Sequence, residues 1–352
     1  MNAPDPIDAH REDFVWKDGE RLIAFGPSAL ASLPAFLRAA DMERFVVVTT
    51  DRAAGQAGDV VALADDTFLA GEGRVDEVAA ELLGQIGDRP VVAVGGGRVI
   101  DAAKAIGGAG GRPVAAIPTT LSGAPMTPFH RPPAGFDGPA RHVRPRIVIG
   151  VPDLMASQPP DLRTASAMNA LSHAIESIFV TTGSPVPRRV AQGAIELLFA
   201  GLEGRGISDP DAPGAEAIRR AKLSLGAIEA GYAIGSTGYA IHHVLCQTIV
   251  RVAGVPHAPT YGVMLPFTLE FLKIRDAIAW DIVAEAMETG APSTAIARVN
   301  AEAGLPTRLS DLGVAPERLD AIVAAAESRS ELNLTPGGAT IDDVRSLIDA
   351  AF

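Results

Sequence analysis

The sequence predicts a chain in two parts, a doubly wound α/β half built on a parallel sheet and an all-α half after it. Three observations predict this. Short apolar runs alternate with amphipathic stretches from about residue 20 to about residue 120, a cluster of glycines in VVAVGGGRVIDAAK joins one such run directly to a helical stretch, and beyond about residue 153 the periodicity is helical throughout. Strand, crossover helix and strand in repetition give a parallel sheet whose ligand lies at the strand C-termini.

Element by element, ERLIAFG reads as a strand, and PSALASLPAFLRAA as a helix with Pro27 at its start, where the missing N–H has no partner to lose. RFVVVTT is a buried strand and VDEVAAELLGQI an amphipathic helix. RPVVAVGGGRVIDAAKAIGGAG is a strand running into a helix, and RPVAAIPTT a short strand running into a loop. The change of texture falls at VIGVPDL, residues 148–154, so the predicted domains are 1–152 and 153–352. In the second, DLRTASAMNALSHAIESIFV, VAQGAIELLFAGL, AEAIRRAKLSLGAIEAGYAI and YAIHHVLCQTIVRVAG are helical, as are segments near 276–288, 315–328 and 341–351.

Composition narrows the function classes. With 352 residues, 47% of them hydrophobic and 20% charged, the chain can bury large cores. A net charge of -12 and a pI near 5.1 argue against nucleic acid and against an anionic membrane, both of which select clustered Lys and Arg, and leave a small molecule as the expected partner. A single cysteine, Cys246, excludes an internal disulfide framework. The opening MNAPDPIDAHREDF is polar and acidic, with no apolar segment of a secretory signal, and no uncharged apolar stretch has membrane-spanning length; the expected location is the cytoplasm.

The chemistry concentrates in two places. After the strand VVAV, Gly95, Gly96 and Gly97 lead into a helix, presenting free backbone N–H groups and a helix N-terminus to an anion with no Cβ in the way, which suits a pyrophosphate. The spacing is not GxGxxG. Asp51 ends the second strand, where a carboxylate can take a ribose hydroxyl pair or cap the following helix, and Arg52 beside it suits a 2′-phosphate. Thr119 and Thr120 follow the next strand at the same edge, either as a turn or as ligand contacts. The expected cofactor-binding set is Asp51, Gly95, Gly96, Gly97, Arg98, Thr119, Thr120 and Leu154, and the cofactor NAD or NADP. In the helical half, Asn169 and His173 stand i and i+4 on one face, and His242, His243 and His257 follow, the last after Gly254 and the Pro256 turn. Three imidazoles and an amide can converge, yet a neutral amide is a poor substitute for a carboxylate at a dication, so the expected pocket is metal-free.

GGGRVIDAAKAI, AIPTTLSGAPMTP, MNALSHAIES, IHHVLC and VPHAPTYGVMLP stand in the order and spacing of the iron-containing (group III) alcohol dehydrogenase superfamily, over nearly the whole chain. The likeness is greatest to its maleylacetate reductase branch. The resemblance implies a dehydroquinate-synthase-like fold, a dinucleotide on the N-terminal sheet, substrate in the cleft and a homodimer. In metal-dependent relatives the ligands are an Asp and three His, which fall on Asn169, His173, His243 and His257. It further implies hydride transfer to an electron-poor C=C beside a carbonyl, with an enolate to stabilise and protonate. His243 is then the proton donor or electrophile, with His173, His242, His257 and Asn169 around a substrate carboxylate. Four departures point to a substrate other than maleylacetate, or to a member recruited to another pathway. Arg98, a cation that can either reach a phosphate or crowd the approach of the pyrophosphate, follows the glycines where relatives have Ser or Thr, Pro125 replaces an acid, and Gln247 replaces a histidine. The loop PFHRPPAGFDGPARHVRPR carries His130, Arg131, Arg141 and Arg144, either as a carboxylate clamp or as a solvated basic loop. Two other classes stay open at this stage: a lyase, cyclase or synthase without net hydride transfer, and a binding protein without activity.

Overall fold

The computed structural model describes residues 13–352 except 140, 208 and 210 and the side chains of Trp16 and Lys17. The polar opening segment up to residue 12, His10 included, lies outside the described residues. The chain forms two compact units, Met1–Gln158 with Asp209–Ile228, and Pro159–Ser208 with Glu229–Phe352. The 209–228 segment thus clusters with the sheet rather than with the rest of the helical half.

In the first unit the elements run β1 (Phe14–Asp18), β2 (Arg21–Phe25), α1 (Leu33–Ala39), β3 (Val46–Thr49), α2 (Asp51–Gln56), α3 (Gly58–Val61), β4 (Asp66–Leu69), α4 (Val75–Ile86), β5 (Val91–Gly95), α5 (Gly97–Gly110), β6 (Val114–Pro118), β7 (Ile147–Gly150) and α6 (Pro152–Met155). The sheet has seven strands in the order β1-β2-β7-β6-β5-β3-β4. All its pairings are parallel except the β1–β2 hairpin. The central strands β3, β5, β6 and β7 are buried at every position, and almost wholly apolar, because both faces are covered. Val46, Val48, Val91, Ala93, Val114 and Ala116 pack under α4 and α5, while Val47, Val92, Val94, Ala115 and Ile117 pack under α1, α2 and α3. The helix after β3 therefore covers one face and the helix after β5 the other. The crevice at the C-terminal ends of β3 and β5 is a topological switch point, the place where ligands enter sheets of this kind.

The helix foreseen from Pro27 begins at Leu33, after a 3-10 turn over Ala29–Ser32. Pro34 explains the late start, since proline is accommodated in the first turn of a helix and not in its interior. The edge strands β1 and β4 were not apparent from periodicity. Phe14–Asp18 follows directly on the polar opening and exposes Phe14 and Val15, and Asp66–Leu69 is short and mostly exposed, so neither shows a buried run.

The second unit is helical: α7 (Pro160–Phe179), α8 (Pro185–Glu203), the C-terminal part of α9 (Ala215–Thr237), α10 (Ile241–Ala253), α11 (His257–Lys273), α12 (Ala277–Ala286), α13 (Pro292–Glu302), α14 (Leu319–Glu327) and α15 (Ile341–Ala351). Every residue of α7 from Ala165 to Phe179 is buried, so this is a central helix and not a surface one. It lies against α8, α11 and α12, and α10 lies against α11 and α14. Among the described residues no helix is long and apolar enough to cross a membrane.

Candidate active site

At the sheet, all eight residues expected to bind a cofactor fall at or just beyond the C-terminal end of a parallel strand. Asp51 follows β3, Gly95 to Arg98 follow β5, Thr119 and Thr120 follow β6, and Leu154 lies in α6 after β7. The three glycines are required sterically. A Cβ on Gly96 would stand 2.9 Å from Thr120 Cγ2, one on Gly97 3.0 Å from Ser122 Cβ and Oγ, and one on Gly95 2.8 Å from Val99. The turn is thus a backbone surface walled by Thr120 and Ser122, and the unpaired N–H groups of the first turn of α5 open onto it. Thr119 is buried and its backbone N–H donates to the Gly95 carbonyl at 2.9 Å, which locks the two loops together. Thr50, not Asp51, caps α2, accepting from Ala53 N at 3.3 Å, so the exposed Asp51 carboxylate is not consumed by capping. Arg98 Nη1 donates to the Gly71 carbonyl in the loop after β4, and Arg52 Nη2 donates to Ser157 Oγ at 2.9 Å.

The arginine-rich loop does not stay at this edge. It runs from β6 down the length of α5. A Cβ on Gly108 would meet the Arg141 carbonyl at 2.5 Å and His130 at 3.1 Å, near the opposite end of the helix. Fourteen residues at about 1.5 Å each put that end on the order of 20 Å from the glycine turn. The glycine-rich C-terminus of α5 therefore serves as a docking face for the backbone of Arg141, which the idea of a carboxylate clamp did not anticipate.

In the helical unit Asn169 and His173, one turn apart on α7, are brought to His242 and His243 at the start of α10. The His173 and His243 rings stack at 4.8 Å between centroids, and the His242 ring meets His243 edge-on at 5.4 Å. His257 is exposed at the first position of α11 and its ring lies 4.5 Å from that of Tyr261. Two residues that sequence reasoning missed organise the group. Tyr261, fully buried, packs its ring within 6.4 Å of all four histidines; its presence one turn after His257 was the available signal. Glu176, three residues after His173 and therefore on the same face, is almost completely buried. It accepts the backbone N–H groups of His242 at 2.7 Å and His243 at 3.4 Å, capping α10, and also accepts His243 Nδ1–H in a close contact.

That contact sets the tautomer. With the proton of His243 held on Nδ1 by the carboxylate, Nε2 presents a lone pair. Burial and the neighbouring His257 push the His243 pKa down to about 3, so the ring is neutral near pH 7. Burial, His243 and His257 likewise hold His173 well below the usual range, and burial raises Glu176 against the opposing pull of His242 and the helix N–H groups. His242 is engaged on both edges. Its Nδ1–H donates to Thr268 Oγ1 at 2.8 Å, Thr268 passes its own proton to the Met264 carbonyl at 3.0 Å, and Nε2 faces Cys246 Sγ at 3.6 Å. By contrast Asn169 Oδ1, His173 Nδ1 and His243 Nε2 are buried without a hydrogen-bond partner. Each such atom costs about 1–3 kcal/mol if left dry, so a ligand or water must supply their partners.

A parallel sheet with a glycine turn at its switch point, carried in one chain with helices that enclose an imidazole cluster, defines an NAD(P)-dependent oxidoreductase of dehydroquinate-synthase-like fold. Residues 163–352 match the Fe-containing alcohol dehydrogenase family, C-terminal part, and residues 24–127 match the iron-containing alcohol dehydrogenase family. The chain belongs to that family. Within it the chain stands on the maleylacetate reductase branch: it is 33% identical to maleylacetate reductase 1 of Rhodococcus opacus over 74% of this chain and 72% of that one. It is 28% identical to the maleylacetate reductase of Burkholderia cepacia over 94% and 95%. The crystal structure of maleylacetate reductase from Rhizobium sp. strain MTP-10005 superposes with a TM-score of 0.81 at 26% identity, covering 97% of this chain and 98% of that one.

The family's name implies iron, and the donor set here does not fit it. The four mapped positions offer an amide oxygen and three imidazoles with no anion. Glu176, the carboxylate at hand, is turned to His243 and the helix N–H groups. Among the described residues no group of three or more His, Cys, Asp or Glu is placed to hold a metal ion. A dication would enter with its charge uncompensated.

Proposed function

We propose that the chain is a metal-independent, NAD(P)H-dependent reductase of an unsaturated or keto carboxylic acid, working as a homodimer. The observation that carries this is the trio of buried unpartnered atoms, Asn169 Oδ1, His173 Nδ1 and His243 Nε2, beside a histidine oriented by Glu176. Such a set supports binding of a small polar substrate and handling of a proton. The glycine turn and the threonine wall support the dinucleotide assignment, with Asp51 for the ribose and Leu154 beside the nicotinamide half.

When bound, the reduced nicotinamide supplies the hydride. A hydride added to the β-carbon pushes the C=C electron pair toward the neighbouring carbonyl, and the resulting enolate needs positive charge at its oxygen and a proton at its α-carbon. An anionic substrate at Nε2 replaces the apolar surroundings that keep His243 neutral with an attractive charge, so substrate enters with a proton taken up on that nitrogen. The His243 imidazolium, held by Glu176 at Nδ1, then stabilises the oxyanion and gives its Nε2 proton to the carbon. His173 and Asn169 donate to or accept from the substrate's oxygens, His257 stands at the exposed end of the group, and His242 keeps the α10 and α11 backbones in register through Thr268.

Reduced-nicotinamide oxidation with maleylacetate and a panel of 2-enoic and keto dicarboxylic acids tests the reading. Turnover of one of them, lowered about 10²-fold or more in His243→Ala with nucleotide affinity retained, is the expected result. Unaltered turnover in that variant removes His243 from the chemistry. Sedimentation velocity tests the dimer.

A further inference from the structure

We infer that Lys104 is a positioning residue, a tethered cation that holds the loop after β6 in place and with it the Thr119–Ser122 wall of the glycine turn. The inference rests on the nucleotide reading of that turn only for its functional consequence. Lys104 lies midway along α5 and is completely buried. Its ammonium is surrounded by five oxygens: the carbonyls of Ala124 at 3.1 Å, Thr127 at 3.1 Å and Phe129 at 2.7 Å, Thr127 Oγ1 at 3.2 Å, and Asp101 Oδ1 at 2.7 Å. An ammonium has three protons, so this is a cage that shares one positive charge among more acceptors than it has donors, as a site for a small monovalent cation does.

The reason for a charge here lies in the connection. β6 and β7 are parallel neighbours, and the described residues between them form no helix, so their backbone carbonyls have no repeating partner of their own. Where that segment crosses α5 its carbonyls are buried and must be paired. Lys104 pairs three of them from one side, and from β2 Arg21 Nη2 donates to the Pro125 carbonyl at 3.3 Å. Two residues before Ala124 stands Ser122, whose side chain faces Gly97, and two before that Thr120, whose methyl faces Gly96. The anchor and the wall are the same short loop. Burial, with Arg144 and Arg21 adding to it, drives Lys104 toward the neutral amine, and Asp101 one turn away opposes it. Asp101→Asn is therefore expected to loosen the same loop through the loss of its charge.

The test is amide hydrogen exchange on nucleotide-free wild type, Lys104→Met and Asp101→Asn, read together with NADH and NADPH titrations and steady-state kinetics. The expected result is exchange at least tenfold faster across residues 119–129, with β3 and α4 unchanged. Nucleotide Kd and KM should rise about tenfold and kcat stay within twofold. Unchanged protection of 119–129, equal loss of protection over the whole sheet unit, or a loosened loop with nucleotide affinity intact would each overturn the inference. If Lys104→Met does not fold, Asp101→Asn, which keeps the side-chain volume, decides it. Should wild type bind neither nucleotide, the dinucleotide reading fails, and the exchange data still decide whether Lys104 holds the loop.

Discussion

Replacing Glu176 by Gln isolates what the buried carboxylate does for His243. The amide keeps one oxygen for the α10 N–H groups that Glu176 Oε1 now accepts at 2.7 and 3.4 Å. Its other atom becomes an NH2 facing His243 Nδ1–H, donor against donor. The least costly relief is for the imidazole to move its proton to Nε2 and accept at Nδ1. The ring then has no lone pair to receive the incoming proton, although every heavy atom stays in place. A hydrogen bond to a charged group contributes about 1.5–3 kcal/mol, so stability should fall by that order. Loss of a correctly oriented acid/base group typically costs 10²–10⁴ in rate, and the expected fall in kcat is about 10²–10³. Nitrogen chemical shifts of the histidine side chains in labelled protein report the tautomer without any substrate, and kinetics report the rate. Nδ1–H in wild type and Nε2–H in the variant are expected. Wild-type His243 found as Nε2–H, or a variant with changed tautomer and undiminished kcat, would refute the reasoning.

Three more outcomes follow from the same geometry. Asn169→Asp restores an anion beside the imidazoles and should raise divalent-metal occupancy, measured by elemental analysis after metal dialysis, from substoichiometric toward one per chain; wild type already near one would contradict the donor-set argument. Gly96→Ala places a Cβ 2.9 Å from Thr120 Cγ2, and should cost about 1–3 kcal/mol in thermal unfolding with weaker nucleotide binding in titrations. Burial and Glu196 raise the Glu229 pKa from 4.5 to about 7. The native state thus holds a proton that the unfolded chain releases between those values, so this group's contribution to stability declines as pH rises through that window. Glu229→Gln should accordingly stabilise the protein above pH 7 by an amount on the order of 1–3 kcal/mol and not below pH 4.5, by denaturant titration at each pH.

Local information was enough for much of this molecule. The buried strands and α4, α5 and α10 declare themselves by apolar period, and the glycine turn by three residues without side chains between strand and helix. The i, i+4 placement of Asn169 and His173 follows from helical pitch alone. α11 was harder to see because Pro259 and Pro266 interrupt its pattern, and yet neither prevents the helix: the first lies in its opening turn and the second is tolerated in its interior. His257 consequently starts a helix where a turn alone was foreseen. Glu176 and Lys104 read in sequence as one more polar face on a helix and one more amphipathic Lys.

Sequence alone determined the fold class, the family and the neutral donor set at the positions that match the family's metal ligands, because these depend on periodicity, on residue identity and on spacing along one element. Only the tertiary structure decided which nitrogen of His243 carries its proton, that His242 is committed to Thr268 and Cys246, that the arginine loop ends at the far end of α5, and that a lysine is caged by loop carbonyls. Apart from the Cys246 contact, one helical turn from His242, those facts are relations between atoms 20 to 67 residues apart in the chain, and burial makes them matter: a polar atom removed from water must be paired by whatever the fold brings to it.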